Sequence, residues 1–505
     1  MELAAGLMLS PLEDHLEAPR GRGRLAGATH AGTAGGAVCG DTVRIAVEVA
    51  GDRVREAGFD AGGCAAARAA GSAVVELVRG ASLLDATRIT PADIATALGG
   101  LSPERMHAAE LAADALHGAI GAACGDGAAR LAPRPRRTLV AMSGGVDSAV
   151  AAQLALDRGD DVVAVTLELW SDPAGDGTLS CCSPQAVVAA RALAHRMGLP
   201  HVTLDLRPDF RRGVVDDFVT QHAEGNTPNP CVRCNGLVRF DAMLALADRL
   251  GAARLSTGHY ARIARDGSGP LVRRAVDPDK DQSYMLARVR PALLDRLEFP
   301  LGELAKPHVR ELARRAALPV ADKRESQDLC FLAGTTGAAF LRRHGGRRSR
   351  GGEIVDVAGR VLGRHDGQHL FTVGQRRGLR VSGAEPLYVL RKDPASERVV
   401  VGPRAALTRS LVEVGGATLY RHASEVDQVK LRYRSAPVPC RVADDPPAGR
   451  HRRLTIELGR PVEGIAPGQV ACFMRGDVVL GFATIRAGTP GERAFPTTKE
   501  EPVAV

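Results

Sequence analysis

The apolar positions of this chain change period along its length. Val43-Arg44-Ile45-Ala46-Val47-Glu48-Val49 alternates with polar or small residues and predicts a strand, and Val54 to Phe59 is read as the next one. Residues 65–79 and 103–120 are rich in helix formers and predict two helices, giving an α+β unit over residues 1–120. After residue 138 the pattern becomes strand, helix, strand. Leu139-Val140-Ala141-Met142, Val162 to Leu167, Val202 to Leu206 and Leu255-Ser256-Thr257 are short apolar runs. Helical stretches separate them, one of 184–197 opened by Ser183-Pro184, others over 208–221 and 237–250. This is an α/β domain with an open parallel sheet, and ligands collect at the carboxyl ends of such strands. From about residue 404 the runs are short and frequent: Leu411 to Val414, Val429 to Tyr433, Arg453 to Leu458, Gly468 to Ala471 and Gly481 to Ile485. They predict an antiparallel β-barrel. The chain thus reads as multidomain: 1–120, a Gly/Ala/Pro/Arg-rich linker at 121–137, an α/β domain at 138–340, a small central domain at 341–403, the barrel at 404–485 and a tail at 486–505.

The first α/β strand runs into Ser143-Gly144-Gly145-Val146-Asp147-Ser148, and a helix follows. Two glycines let backbone amides wrap an anion at a helix start, and Ser143 and Ser148 add hydroxyl donors. Asp147 repels phosphate but can hold Mg2+ or orient the loop. The Gly-Lys-Ser/Thr ending of kinase and GTPase loops is missing. The segment resembles instead the pyrophosphate-binding loop of ATP pyrophosphatases, which activate a substrate by adenylation.

Composition narrows the class. The formal charge of +8 permits a nucleic-acid partner. No 18-residue apolar run is present, so no membrane partner is expected, and residues 1–20 carry four acidic groups and no signal-peptide core. Ten cysteines in 505 residues do not make a secreted disulfide framework and fit a reducing cytoplasm. Cys231 and Cys234, three apart, could belong to a zinc site, a disulfide or an iron–sulfur centre. No second such pair completes a zinc site, and the adjacent Cys181-Cys182 clamps one ion poorly. Lys323-Arg324 precede Cys330 and would favour its thiolate. Cys64, at a helix start, would also favour a thiolate, and Cys39, Asp41 and Cys64 could be three metal ligands. Arg347, Arg348 and Arg350, with Gln375-Arg376-Arg377, make a phosphate-contact surface.

Cys39-Gly40-Asp41, Gly63-Cys64 with Ser72, and His107 followed by Leu111 to Ala115 resemble the iron–sulfur cluster scaffold family. The family's third cysteine, directly after the histidine, is Ala108 here. His107 or Cys124 could complete a site for Zn2+ or a labile cluster. A flexible linker would then let this module deliver iron or sulfur to the domain beginning near 138.

From about 138 to 485 the chain resembles the tRNA-specific 2-thiouridylases. The matching motifs are the 143–148 loop, Thr227-Pro228-Asn229-Pro230, Cys234-Asn235, Ser256-Thr257-Gly258-His259-Tyr260, Asp279 to Tyr284, and Glu325-Ser326-Gln327 with Cys330-Phe331. Gly363 to Gly367 and Phe371 to Leu379 complete the set. The resemblance implies ATP-dependent adenylation of the wobble-uridine C2 oxygen in tRNA, then sulfur transfer from a persulfide on Cys330 with Cys234 as catalytic partner. It implies ATP contacts at Ser143, Gly144, Gly145, Asp147, Ser148, Leu167 and Gly258, support from His259, Asp279 and Lys280, and tRNA contacts in the central domain. A sulfur donor such as a cysteine desulfurase system would be the protein partner. Cys231 stands where the family often has aspartate, so Cys231, Cys234 and Cys330 could instead hold a [4Fe-4S] cluster with one open iron. Two other readings remain open: an ATP pyrophosphatase forming an amide on a small carboxylate, and an iron–sulfur carrier with a regulatory nucleotide domain.

Overall fold

The computed structural model describes residues 9–25, 28, 30–36, 40–171, 183–324, 329–332, 334–345 and 351–487. Cys39, Cys181, Cys182, Glu325-Ser326-Gln327, Arg347, Arg348 and Arg350 lie outside the described residues.

The N-terminal module is a three-stranded antiparallel sheet, β1 (Ala31–Gly35), β2 (Thr42–Ala50) and β3 (Arg53–Gly62), backed by helices Ala65–Val78 and Met106–Asp126. Alternation places Val43, Ile45 and Val47 in the core, as the sequence predicts. Strand β1 has no apolar period, because its role is close approach. A Cβ on Gly32 would stand 2.1 Å from the Ala115 carbonyl oxygen of the long helix, so only glycine lets strand and helix meet there.

The α/β sheet has the order Leu297–Glu298, β7 (Ala252–Thr257), β4 (Arg134–Ala141), β5 (Asp161–Glu168), β6 (His201–Asp205), all parallel. Its two faces are filled separately. Leu139, Val163, Val165 and Leu255 pack with Phe240, Met243 and Leu246 of helix Phe240–Arg249. Val140, Val162 and Ala164 pack with helix Val146–Asp157 and with Leu193 and Ala194 of helix Pro184–Arg196.

Two helices differ from their predicted form. The segment expected over 208–221 runs from Arg207 to Ala223 with a π-helical interruption at Arg211–Val215. The helix expected over 237–250 begins at Pro230, capped by Asn229, and passes through a second π segment, Asn235–Arg239. Cys231 and Cys234 therefore sit in a helical turn ahead of a π-bulge, a feature frequent at functional sites.

The linker is also less open than its composition suggests. Helix Met106–Asp126 extends past 120, and β4 already begins at Arg134. Between them Ala129 N–H donates to Ala123 O, Arg130 to Gly51 O and Leu131 to Arg249 O. The expected mobile tether is instead a hydrogen-bonded connector touching both flanking domains.

The central domain is a four-stranded sheet over Gly352–Val355, Val361–His365, Tyr388–Asp393 and Arg398–Gly402. The C-terminal strands close into an antiparallel barrel through pairing of Thr408–Leu419 with Val478–Ile485. A hairpin, Ala261–Asp266 and Gly269–Arg274, adds to that barrel from the α/β domain. Among the described residues no helix is long and apolar enough to cross a membrane.

Candidate active site and candidate metal centre

The 143–148 loop leaves β4 through Gly144, whose φ of +69° suits glycine. Gly145 is the N-cap of helix Val146–Asp157. The loop is braced internally. Ser143 N–H donates to Ser148 Oγ at 3.1 Å, and Ser148 Oγ donates to Gly145 O at 3.0 Å. Gly258, at the end of β7, lies flush against it: a Cβ there would be 2.8 Å from the Asp147 carbonyl carbon and the Ser148 nitrogen. The two loops at the strand ends thus form one backbone-lined cradle suited to an anion.

Three side chains from elsewhere converge on this cradle. Tyr260 Oη donates to Asp147 Oδ1 at 2.8 Å, and Lys306 Nζ donates to the same oxygen at 2.6 Å. Lys323 Nζ donates to Gly144 O at 2.9 Å. Lys306 is only 7% exposed and opens helix Lys306–Arg315, its N–H donating to Asp277. Two ammonium groups beside a ring of amides can hold a pyrophosphate and its developing charge. Neither lysine was read from the sequence as a phosphate ligand. Lys323 in particular was expected to tune Cys330. The signal available was the lysine opening an amphipathic helix, which is weak.

His259 hydrogen-bonds Thr257 Oγ1 through Nδ1 at 2.8 Å and packs against Phe240 and Phe299. Burial, with Arg239 adding, pushes its pKa down to about 3, so the ring is neutral. That state suits packing or hydrogen bonding. Leu167 is buried at the carboxyl end of β5, the cradle end of the sheet. Asp279 is exposed, its N–H donating to Asp277, while Lys280 lies near Tyr433.

The cysteine segments share one support. Arg233, beside Cys234, donates to Gly213 O and pairs with Asp217. Phe331, beside Cys330, stacks edge-on against Phe210 and Phe218. Both segments are therefore pinned to the helix interrupted at Arg211–Val215. Cys234 is buried, while Cys231 and Cys330 are half-buried.

The loop ahead of Cys231 is clamped by the other two domains. Thr227 N–H donates to Pro467 O, Gln469 Nε2 donates to Thr227 O, and Lys392 Nζ donates to Asn226 O at 3.5 Å. At this three-domain junction lies a cleft of about 420 Å³, lined by Thr227, Thr372, Gly374, Gln375, Arg432 and Gln469. Gln375 is fixed by Thr372 N–H and by the Arg377 carbonyl, and Arg376 and Arg377 are exposed beside it.

A second site lies in the N-terminal module. Asp41, 2% exposed, accepts from Cys64 N–H through Oδ1 at 2.9 Å, and its Oδ2 is 3.0 Å from His107 Nε2. Asp41, Cys64 and His107 each offer a ligand atom within 4.8 Å of the others, the one such set among the described residues. His107 Nδ1 lies 2.8 Å from Glu104 O, a contact that orients a metal-binding ring and leaves Nε2 for the ion. Cys64 departs from expectation. It is the N-cap, accepting from Ala67 N–H, yet partial burial and then Asp41 push its thiol up. Burial and the neighbouring carboxylate together outweigh the helix-terminal amides, and a bound cation would reverse that balance. Ala108 is fully buried in the apolar core, and Cys124, buried near the other end of the same helix, is raised to about 12 by desolvation and is no partner for this site.

Residues 11–125 match the NifU-like N terminal domain, 136–334 the tRNA methyl transferase HUP domain, 338–403 the tRNA methyl transferase PRC-barrel domain and 419–485 the Aminomethyltransferase beta-barrel domain. A bifunctional protein NifU/MnmA of Rubrobacter xylanophilus is 47% identical, covering 92% of this chain and 95% of that protein. The chain belongs to the tRNA-specific 2-thiouridylase family, in its form fused to a NifU-like domain. The tRNA-specific 2-thiouridylase MnmA of Rhodospirillum centenum is 44% identical over 69% of this chain and 91% of its own length, and that of Geobacter metallireducens is 43% identical over 70% and 97%. Those two relatives cover a share of this chain that fits the family domains without the NifU-like module.

Proposed function

We propose that this protein is an ATP-dependent tRNA sulfurtransferase that converts a wobble uridine to 2-thiouridine. The observation that carries the reading is the pairing of a pyrophosphate cradle with two cysteine segments anchored on one helix, beside a cleft where three domains meet. A uridine C2 oxygen leaves poorly until AMP is attached to it. The cradle amides, Lys306 and Lys323 hold the departing pyrophosphate, and Asp147 is placed to take Mg2+ through the oxygen that its two donors leave unused. The terminal sulfur of a persulfide on Cys330 attacks C2 and AMP departs. Cys234 then attacks Sγ of Cys330, and the S–S bond to the sulfur now on C2 breaks. Thiouridine is released and a Cys234–Cys330 disulfide remains, to be reduced by an external thiol. Gln375, Arg376, Arg377, Arg432 and Gln469 face the tRNA backbone at the cleft, with Arg347, Arg348 and Arg350 contributing. A cysteine desulfurase system in a reducing cytoplasm supplies the persulfide.

A second mechanism is favoured by one observation. Cys231 shares a helical turn with Cys234, as cluster ligands do, so Cys231, Cys234 and Cys330 suit a [4Fe-4S] cluster whose fourth iron takes external sulfide. In the N-terminal module, Asp41, Cys64 and His107, with Cys39, suit Zn2+ or iron by their mixed O, S and N donors.

Release of AMP and pyrophosphate should depend on tRNA. Cys234→Ser and Cys330→Ser should each abolish thiouridine while tRNA binding persists, and turnover indifferent to tRNA would refute the assignment. Anaerobic iron analysis separates the two mechanisms: Cys231→Ser should lose iron and activity together only if a cluster operates.

A further inference from the structure

The N-terminal module docks on the α/β domain through helix Met106–Asp126, which lies against β6, the last strand of the sheet. A Cβ on Gly121 would be 2.2 Å from Thr203 O of β6, so helix and strand touch backbone to backbone. Arg249 Nη1 donates to the carbonyls of Cys124 and Gly125. Ala119, Ile120 and Ala123 share one buried core with Val202, Leu204 and Leu250.

The same docking grips the segment that runs from helix Pro184–Arg196 into β6. Asp114 of the module pairs with Arg191, whose side chain is 9% exposed. Arg88 of the module donates to Gly198 O. The Thr87 carbonyl, also from the module, accepts from His195 Nε2 at 2.9 Å and from the His201 N–H at 3.4 Å. The segment is thus held at Arg191, His195, Gly198 and His201.

That segment supports the 143–148 loop in two ways. Ala190, next to Arg191, packs on the loop: a Cβ on Gly144 would be 3.6 Å from the Ala190 nitrogen. His201 reaches the loop through Thr166 of β5. Thr166 Oγ1 gives its proton to Met142 O at 2.9 Å, so His201 Nε2, 2.8 Å from that hydroxyl oxygen, donates to it. This tautomer leaves Nδ1 buried with no hydrogen-bond partner among the described residues, a cost that an apolar side chain there would not carry. Met142 N–H meanwhile donates to Val165 O at 2.8 Å, so β5 fixes both polar groups of Met142. A peptide unit is planar, and fixing the Met142 carbonyl therefore aims the Ser143 N–H. That N–H makes the 3.1 Å bond to Ser148 Oγ that braces the loop.

We infer that the N-terminal module is a structural part of the nucleotide site. Arg191, His201 and Thr166 are positioning residues for adenylation, and the module's Asp114 and Thr87 carbonyl hold the first two. The inference rests on the reading of the 143–148 loop as a pyrophosphate cradle. It asks nothing of Asp41, Cys64 and His107: the module supports ATP use whether or not those residues hold an ion.

The test uses the full-length chain and reads two constants in tRNA-dependent AMP release, KM for ATP and the inhibition constant of added pyrophosphate. Thr166→Val keeps the branched shape and removes the hydroxyl. It should raise both constants by ~3–30-fold while KM for tRNA stays within about twofold. Thr166→Ser should recover most of the loss. Asp114→Ala, at a half-buried position outside the loop, should move the same two constants in the same direction, and it keeps the inference falsifiable should Thr166→Val fail to fold. ATP and pyrophosphate constants unchanged in either variant would overturn the inference. So would a loss that falls equally on tRNA, since that marks general loosening of the fold. If pyrophosphate does not inhibit the wild type, the cradle reading itself fails, and this is seen before any variant is compared.

Discussion

Asp41 and Asp147 pose the same problem at opposite ends of the molecule. Each is a carboxylate near a helix start that already holds a nitrogen cation or donor where a ligand is expected. They solve it differently. Asp41 divides its oxygens, one to the Cys64 amide and one to His107, so a metal must displace a proton from the His107 ring. Asp147 loads a single oxygen with both Tyr260 and Lys306. Its second oxygen is left for a cation, and Lys306 can turn to phosphate without leaving the site. The first arrangement suits a resident ion, the second a substrate that comes and goes.

The largest expected effect tests Asp147. Lys306→Ala should lower kcat/KM for tRNA-dependent pyrophosphate release by ~10²–10³-fold, with Lys306→Arg recovering part. Turnover within twofold of wild type would show that the ammonium serves only to neutralise Asp147. Asp41→Asn sharpens the other half. It keeps the shape but removes the charge, so metal affinity should fall about 10–100-fold in a direct titration while ATP turnover is unchanged. Equal affinity would mean that Asp41 only orients the Cys64 amide.

The docking region supplies smaller effects. Gly121→Val pushes a side chain into the Thr203 carbonyl and should cost about 1–3 kcal/mol in chemical denaturation. An unchanged midpoint would mean that helix and strand part to admit the side chain without cost. His117 and His201 are buried there, with His195, beside Arg191, Arg88, Asp93 and Asp114. Burial, then Arg191, holds His117 and His201 far below the ordinary histidine value. The unfolded chain therefore binds protons that the folded chain refuses. Stability should be full above pH 6.5 and fall as pH drops below it, by about 1 kcal/mol per excluded proton between pH 6.5 and 5.5. A flat profile over that range, or one equally steep in His201→Asn, would remove these rings as the cause.

The cradle, the barrel and both cysteine segments were legible because each is local: a glycine pair, an alternation, a short motif. Lys306 was not, since its partner lies 159 positions earlier and no periodicity marks it. Strand β1 escaped because Gly32 and Gly35 serve packing and so interrupt any apolar pattern. The linker misled because Gly, Ala and Pro describe a free chain's flexibility, while Arg249 O and Gly51 O, which hold it, come from distant segments. Cys64 misled for a related reason: a helix terminus is visible in sequence, but the burial that raises the thiol, and the carboxylate 23 positions away that adds to it, come from the fold.

The placement of Gly121 on Thr203 has a consequence for the outermost strand of the catalytic sheet. A parallel sheet ends in a row of backbone groups that invites another strand to add, and native proteins cover or charge such borders against aggregation. Here the fused module's helix is the cover. A fragment beginning near residue 131 would expose β6 together with Val202, Leu204 and the apolar surface left by Ala119 and Ile120.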